Sequence, residues 1–149
     1  MRMQTVSLRP SIVAIFVASI ATACGSDSTP TSPTPGPTPP AVSFSQQIQA
    51  TIFTPSCVPC HNDDGRTPAG GLNLKSGSSY SSLVGVASSG KSGAVRVIAS
   101  NPSGSYLVQK LEGAPDIVGL RMPRNGPPFL TDAQVAQIRQ WIQNGAPNN

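Results

Sequence analysis

The chain has 149 residues, ten basic and six acidic side chains, a net charge of +4 and an isoelectric point of about 9.4. Only 11% of the residues are charged and 5% aromatic, while glycine and proline number 14 and 16. That balance excludes a large aromatic core and gives no basic patch of the kind that binds nucleic acid, and the length suits one small domain plus N-terminal segments.

Arg2 and Arg9 flank the start of an apolar run, Ser11 to Ala23, that contains no acidic residue. The run falls short of the roughly 20 apolar residues that cross a bilayer, so residues 1–23 read as a secretory signal peptide. It closes on Ala21-Thr22-Ala23-Cys24, which resembles the lipobox of bacterial lipoproteins, with alanine where leucine is usual. The resemblance implies that Cys24 becomes the lipidated N-terminus; the other reading is an Ala-x-Ala cleavage site with Cys24 unmodified. Either way the mature protein is expected outside the cytoplasm, on the periplasmic side of a bacterial membrane or at the cell surface. Residues 25–40, dominated by proline, threonine and serine, have almost nothing apolar to bury and are expected to form a tether with Cys24. At about 3.1 Å per residue in polyproline form, residues 28–40 would hold the next segment on the order of 40 Å from an anchor.

Residues 41–149 form the expected domain. Ser43 as N-cap with Gln46 three residues on fits a capping box, and Phe44, Ile48 and Ile52 recur every four residues, so a helix is predicted from Ser43 to about Phe53. Pro55 is expected to end it. Cys57-Val58-Pro59-Cys60-His61 follows. Two cysteines two residues apart with histidine next is the attachment spacing of c-type haem: two thioethers clamp the porphyrin edge and the imidazole reaches the iron. Apart from Cys24 these are the chain's only thiols, and His61 is its only histidine. Structural zinc asks for four nitrogen or sulfur ligands, which a single cluster does not supply, and no βαβ pattern surrounds the pair as in a thioredoxin-like site. A Cys57 to Cys60 disulfide, or another metal, remains the alternative.

Residues 62–71 carry loop chemistry, with Asp63 and Asp64 expected to be solvated. A backbone carbonyl late in this loop is expected to accept from the second ring nitrogen of His61. Leu72 to Leu74 reads as extended, Ser79 to Val84 as a turn or two of helix, Gly85 to Gly93 as a flexible connector and Ala94 to Ala99 as a short extended piece. Asn101-Pro102 reads as N-cap and first residue of a helix to about Leu111, with Tyr106, Leu107 and Leu111 on one side.

Met122 is the one methionine left once the signal peptide is gone, and Pro123 biases it towards extended backbone, so that its thioether can project from a loop. A thioether opposite an imidazole is the ligand pair of electron-carrying haem proteins and raises the reduction potential. The other reading of Met122 is a gap-filler in the core; Lys75, Lys91 and Lys110 are then the remaining candidates for the iron's distal position. Arg121 and Arg124 flank Met122 as candidates for the haem propionates or as ordinary surface arginines. The last helix has the fullest set of signals. Thr131 and Gln134 make a capping box, Leu130 and Val135 a hydrophobic staple, and Val135, Ile138, Trp141 and Ile142 an apolar stripe before the stop at Gly145. The stripe is expected to pack on Phe44, Ile48 and Ile52.

Taken in order, the apolar helix, Pro-Ser-Cys-Val-Pro-Cys-His, Gly-Gly-Leu-Asn-Leu, Asn-Pro-Ser-Gly-Ser-Tyr-Leu-Val-Gln-Lys-Leu, Arg-Met-Pro and Ala-Gln-Ile-Arg-Gln-Trp-Ile-Gln-Asn-Gly-Ala resemble the class I monohaem cytochromes c. The likeness is greatest to the planctomycete-type cytochrome c domain and covers about residues 43–147. The resemblance implies an all-α fold with crossing first and last helices around one covalent haem c. It also implies Cys57 and Cys60 as attachment points, His61 as proximal iron ligand and Met122 as distal ligand. The function so implied is single-electron transfer, not enzymatic catalysis, by a membrane-tethered monomer or subunit that exchanges electrons with redox proteins or a respiratory complex. If Met122 were not a ligand, the alternatives would be a redox or gas sensor or a peroxidase-like haem enzyme, which need an open iron position.

Overall fold

The computed structural model describes residues 41–65 and 67–149; the expected signal peptide, Cys24 and the tether lie outside them. Helix α1 covers Phe44–Phe53 and continues into one α-helical turn, Thr54–Ser56. Much of α1 has the wide π form, in which Ile48 N–H bonds to Ser43 and Thr54 N–H to Gln49, five residues back. The wider turn brings residues spaced four and five apart to one face, so Phe44, Ile48, Gln49, Ile52 and Phe53 are buried together. The predicted cap holds in one direction: Ser43 Oγ accepts from Gln46 N–H at 3.3 Å. The return bond comes from Gln47 in place of Gln46, whose Oε1 accepts from Ser43 N–H at 2.8 Å. Nor does Pro55 end the helix, because it sits in the first turn of Thr54–Ser56, where a missing N–H is tolerated.

A short 3-10 turn, Ala69–Gly71, precedes α2, Ser79–Leu83, which falls where the sequence places it. The connector after α2 folds back on the next segment, with Ser88 N–H on Ala94 and Arg96 N–H on Val86. Single bridges such as Val84 to Val97 result, and the described residues contain no strand. Helix α3 runs over Tyr106–Glu112 and closes on Gly113 in the left-handed conformation. It starts four residues later than Asn101-Pro102 would have it. Asn101 Oδ1 accepts from Gly104 N–H at 2.9 Å, and buried Ser105 Oγ accepts from Ile98 N–H and donates to Asn101 O, so the side chains build a turn instead. The late start also turns α3: Val108 is buried beside Tyr106 and Leu111, while Leu107 is half-buried.

Helix α4, Asp132–Gln143, has its full capping box between Thr131 and Gln134 and ends at Gly145, where Ala146 N–H bonds to Trp141 O. Its stripe packs on α1, with the Trp141 and Phe44 rings 5.0 Å apart at 30°. Phe44 also meets Phe53 and Tyr80 edge-on, at 6.2 and 5.4 Å. These contacts place the core between α1 and α4, and Leu74, Leu83 and Val97 belong to the same cluster. Gln49 ties the layers: its Nε2 donates to Leu74 O at 3.0 Å and its Oε1 accepts from Ser79 Oγ. The described residues are thus helical with connecting loops. No helix among them is long and apolar enough to cross a membrane.

Candidate functional site

The Cys57 to His61 segment hangs from the end of α1. Cys57 and Val58 N–H groups close the helix on Phe53 O, and the chain then reverses, with Cys60 and His61 N–H both on Cys57 O. Buried Asn62 holds this turn from below, donating to Val58 O at 2.6 Å. His61 O accepts from Leu74 N–H and Cys60 O from Ala69 N–H, which stitches the motif to both ends of the following loop.

The expected carbonyl for the imidazole is that of Ala69, 2.9 Å from His61 Nδ1. A carbonyl can only accept, so Nδ1 carries the hydrogen and Nε2 keeps its lone pair free for a ligand's bond. Burial, followed by smaller effects of Arg96 and Lys110, holds the imidazole below its ordinary pKa, against hydrogen bonds to Ala69 and Leu72 that act the other way. Both cysteines are free thiols, and burial, then Cys60, pushes the Cys57 thiol up to about 12.

These side chains open on a cavity of about 430 Å³, within the range of about 300–1,000 Å³ typical of small-molecule and cofactor sites. Cys57, Cys60 and His61 line one part of it, and Met122 and Pro123 line it as well. Met122 lies in the loop between α3 and α4, its N–H fixed to Lys110 O at 2.8 Å, and it packs against the core. Leu72, Leu74 and Leu83 form apolar wall on one segment of chain, Leu107, Leu111 and Val118 on another. No group of three His, Cys, Asp or Glu side chains among the described residues converges as a metal site would. The two thiols and the imidazole face one space.

The charged residues sort differently from the expectation. Arg124 lines the cavity, but Arg121 does not: its Nε donates to Leu111 O at 2.7 Å and its guanidinium lies 4.1 Å from the Phe129 ring centre. Arg96 and Lys110 line the cavity with Arg124, and no carboxylate among the described residues does. Arg96 was not among the sequence candidates; the one available signal was a lone cation inside the apolar run Ala94 to Ala99. Of the three candidate lysines, Lys110 alone reaches the wall, where Nζ donates to Val118 O at 2.9 Å and also to Leu120 O. Lys75 is paired with Asp64 at 2.6 Å and Asp63 at 3.4 Å, and Lys91 with Asp116 at 2.7 Å. Asp63 and Asp64 are exposed, as expected, but engaged.

No family model, curated protein or solved structure matches the chain.

Proposed function

We propose that this chain is a covalent-haem electron carrier. More particularly, we propose a single-haem, His/Met-ligated cytochrome of the class I type, exported and tethered to a membrane through Cys24, that passes single electrons between redox proteins or within a respiratory complex. The observation that carries the reading is that Met122 and the Cys57-x-x-Cys60-His61 motif line one apolar cavity, although the loops bearing them are far apart in the sequence. The cavity's make-up fits the group. Cys57 and Cys60 would supply the thioethers, His61 Nε2 and the Met122 sulfur would bind the iron, and the leucine walls would give the apolar contact that a porphyrin needs.

When bound, haem iron supplies a one-electron couple. The polypeptide's part is to keep that couple in one geometry. The Ala69 carbonyl orients His61, and Met122 is anchored at its backbone by Lys110 O. Leu72, Leu74, Leu83 and Leu111 exclude water, which lowers the reorganisation that accompanies a change of charge. Arg96, Lys110 and Arg124 offset the carboxylates that a haem carries. The packing of Phe44 on Trp141 supports a cytochrome-like crossing of α1 and α4.

The test is to express the full chain in a host that attaches haem and to record intact mass and spectrum. One added haem, and a reduced spectrum that carbon monoxide leaves almost unchanged, are expected. A colourless protein of unmodified polypeptide mass would end the proposal, and a Soret band moved by carbon monoxide would turn it towards a sensor or enzyme.

A further inference from the structure

Arg96 is a cation without a carboxylate partner among the described residues, yet its guanidinium is well engaged. Nη1 donates to Ser82 O at 2.8 Å; Nη2 donates to Gly71 O at 3.0 Å and Gly70 O at 3.3 Å, with Ser89 Oγ at 3.5 Å. Ser89 Oγ in turn donates to Gly70 O at 2.6 Å. The fork thus joins the end of α2 to the turn Ala69–Gly71. The turn closes on itself through Gly71 N–H on Pro68 O at 2.9 Å and Leu72 N–H on Ala69 O at 3.3 Å, yet all three residues are exposed, and Gly70 and Gly71 both adopt positive φ, at 62° and 61°. Two consecutive glycines give a mobile backbone, so the bonds from Arg96 and Ser89 add to what holds the turn's conformation. A Cβ on Gly71 would stand a tight 3.3 Å from Ser89 Oγ and an ordinary 3.8 Å from Arg96 Nη2, so the positive φ and the Ser89 hydroxyl are what ask for glycine there.

The carbonyl that orients His61 belongs to this turn. Ala69 O shares its peptide unit with the nitrogen of Gly70, so rotation about that unit would carry the acceptor away from Nδ1. We propose that Arg96 is a positioning residue for His61, acting through the Gly70 and Gly71 carbonyls to hold the Ala69 acceptor in place. This rests on the reading of His61 as the iron's proximal ligand. A guanidinium suits the role because its rigid planar fork places one nitrogen on Ser82 O and the other on the Gly70 and Gly71 carbonyls.

The test uses the full chain as exported, with intact mass measured on the same sample. Hydrogen exchange of the His61 Nδ1 proton is followed by NMR in the reduced protein, and the Trp141 Nε1 proton, bonded to Pro147 O at 2.9 Å and apart from the turn, serves as internal reference. Arg96→Gln is expected to speed exchange at His61 on the order of tenfold, the scale of one lost hydrogen bond, and to leave Trp141 unchanged. Arg96→Lys is expected to fall between the two. Equal acceleration at both protons would mean general loosening and overturn the proposal, as would no change at His61. Should Arg96→Gln fail to fold, Ser89→Ala removes the bond to Gly70 O and the 3.5 Å contact with Arg96 Nη2, and its His61 proton is expected to exchange faster alone; absence of that effect counts against the role. A sample without haem mass refutes the carrier reading itself, independently of these rates.

Discussion

The Trp141 and Phe44 rings lie 5.0 Å apart between the last helix and the first, and Trp141 is fully buried with its indole N–H on Pro147 O. One side chain therefore joins α4, α1 and the C-terminal segment. Truncation to alanine would remove the largest buried side chain and leave the Pro147 carbonyl short of a donor.

Trp141→Ala is accordingly expected to cost about 3–5 kcal/mol of stability, the usual range for a large aromatic core truncation. Denaturant unfolding of the full chain, as expressed, measures it. A loss below about 1 kcal/mol would show that α1 and α4 do not depend on each other through this contact.

Gln49 and Ser79 form a buried polar pair between α1 and α2, and Gln49 also serves Leu74 O. Gln49→Ala is expected to cost about 1–3 kcal/mol, because two buried groups lose their partner together. A double-mutant cycle with Ser79→Ala is expected to show positive coupling; strict additivity would mean that the two side chains do not interact in solution.

On the proposed His61 and Met122 ligation, Met122→Ala is expected to lower the midpoint potential and to let carbon monoxide shift the Soret band, since the iron would lose its thioether. Stability should fall as well, because Met122 packs against the core. If potential and spectrum stay as in the parent, Lys110 becomes the next candidate, being the lysine at the cavity wall.

Lys91 holds the Asp116 carboxyl below the usual carboxylate range, chiefly by a direct hydrogen bond and then by charge. A folded-state pKa depressed in this way contributes stability that is present above the unfolded value, about 3.9, and lost as pH falls through the folded one. Asp116→Asn should therefore flatten the acid limb of stability against pH and leave the limb above pH 5 nearly parallel to the parent. Both groups are exposed enough for salt to screen the pair, so raised ionic strength is expected to shrink the difference. An acid limb identical in the variant would show that the pair is not formed in solution.

What could be read without the fold was whatever depends on neighbours a few residues apart. The Cys57, Cys60 and His61 spacing, the Thr131 and Gln134 cap, the stop at Gly145 and the apolar faces of α1 and α4 are all short-range patterns, so the residues themselves carry them. Even there, competition among close neighbours blurred the outcome. Gln47 took the bond assigned to Gln46, and Asn101 spent its side chain on a turn, which delayed α3.

Which cation faces the cavity, which carbonyl steadies His61, and whether Met122 shares a space with the motif depend on chain segments far apart in order. Arg96 reaches Gly71 across 25 residues, while Arg121, beside Met122 in sequence, turns away to Leu111 O and Phe129. No local pattern records such choices, because they follow from how buried side chains fill space and how each polar group finds its nearest unpaired partner. The order of residues put the chemistry of this site on offer, and long-range packing chose which of those residues stand around it.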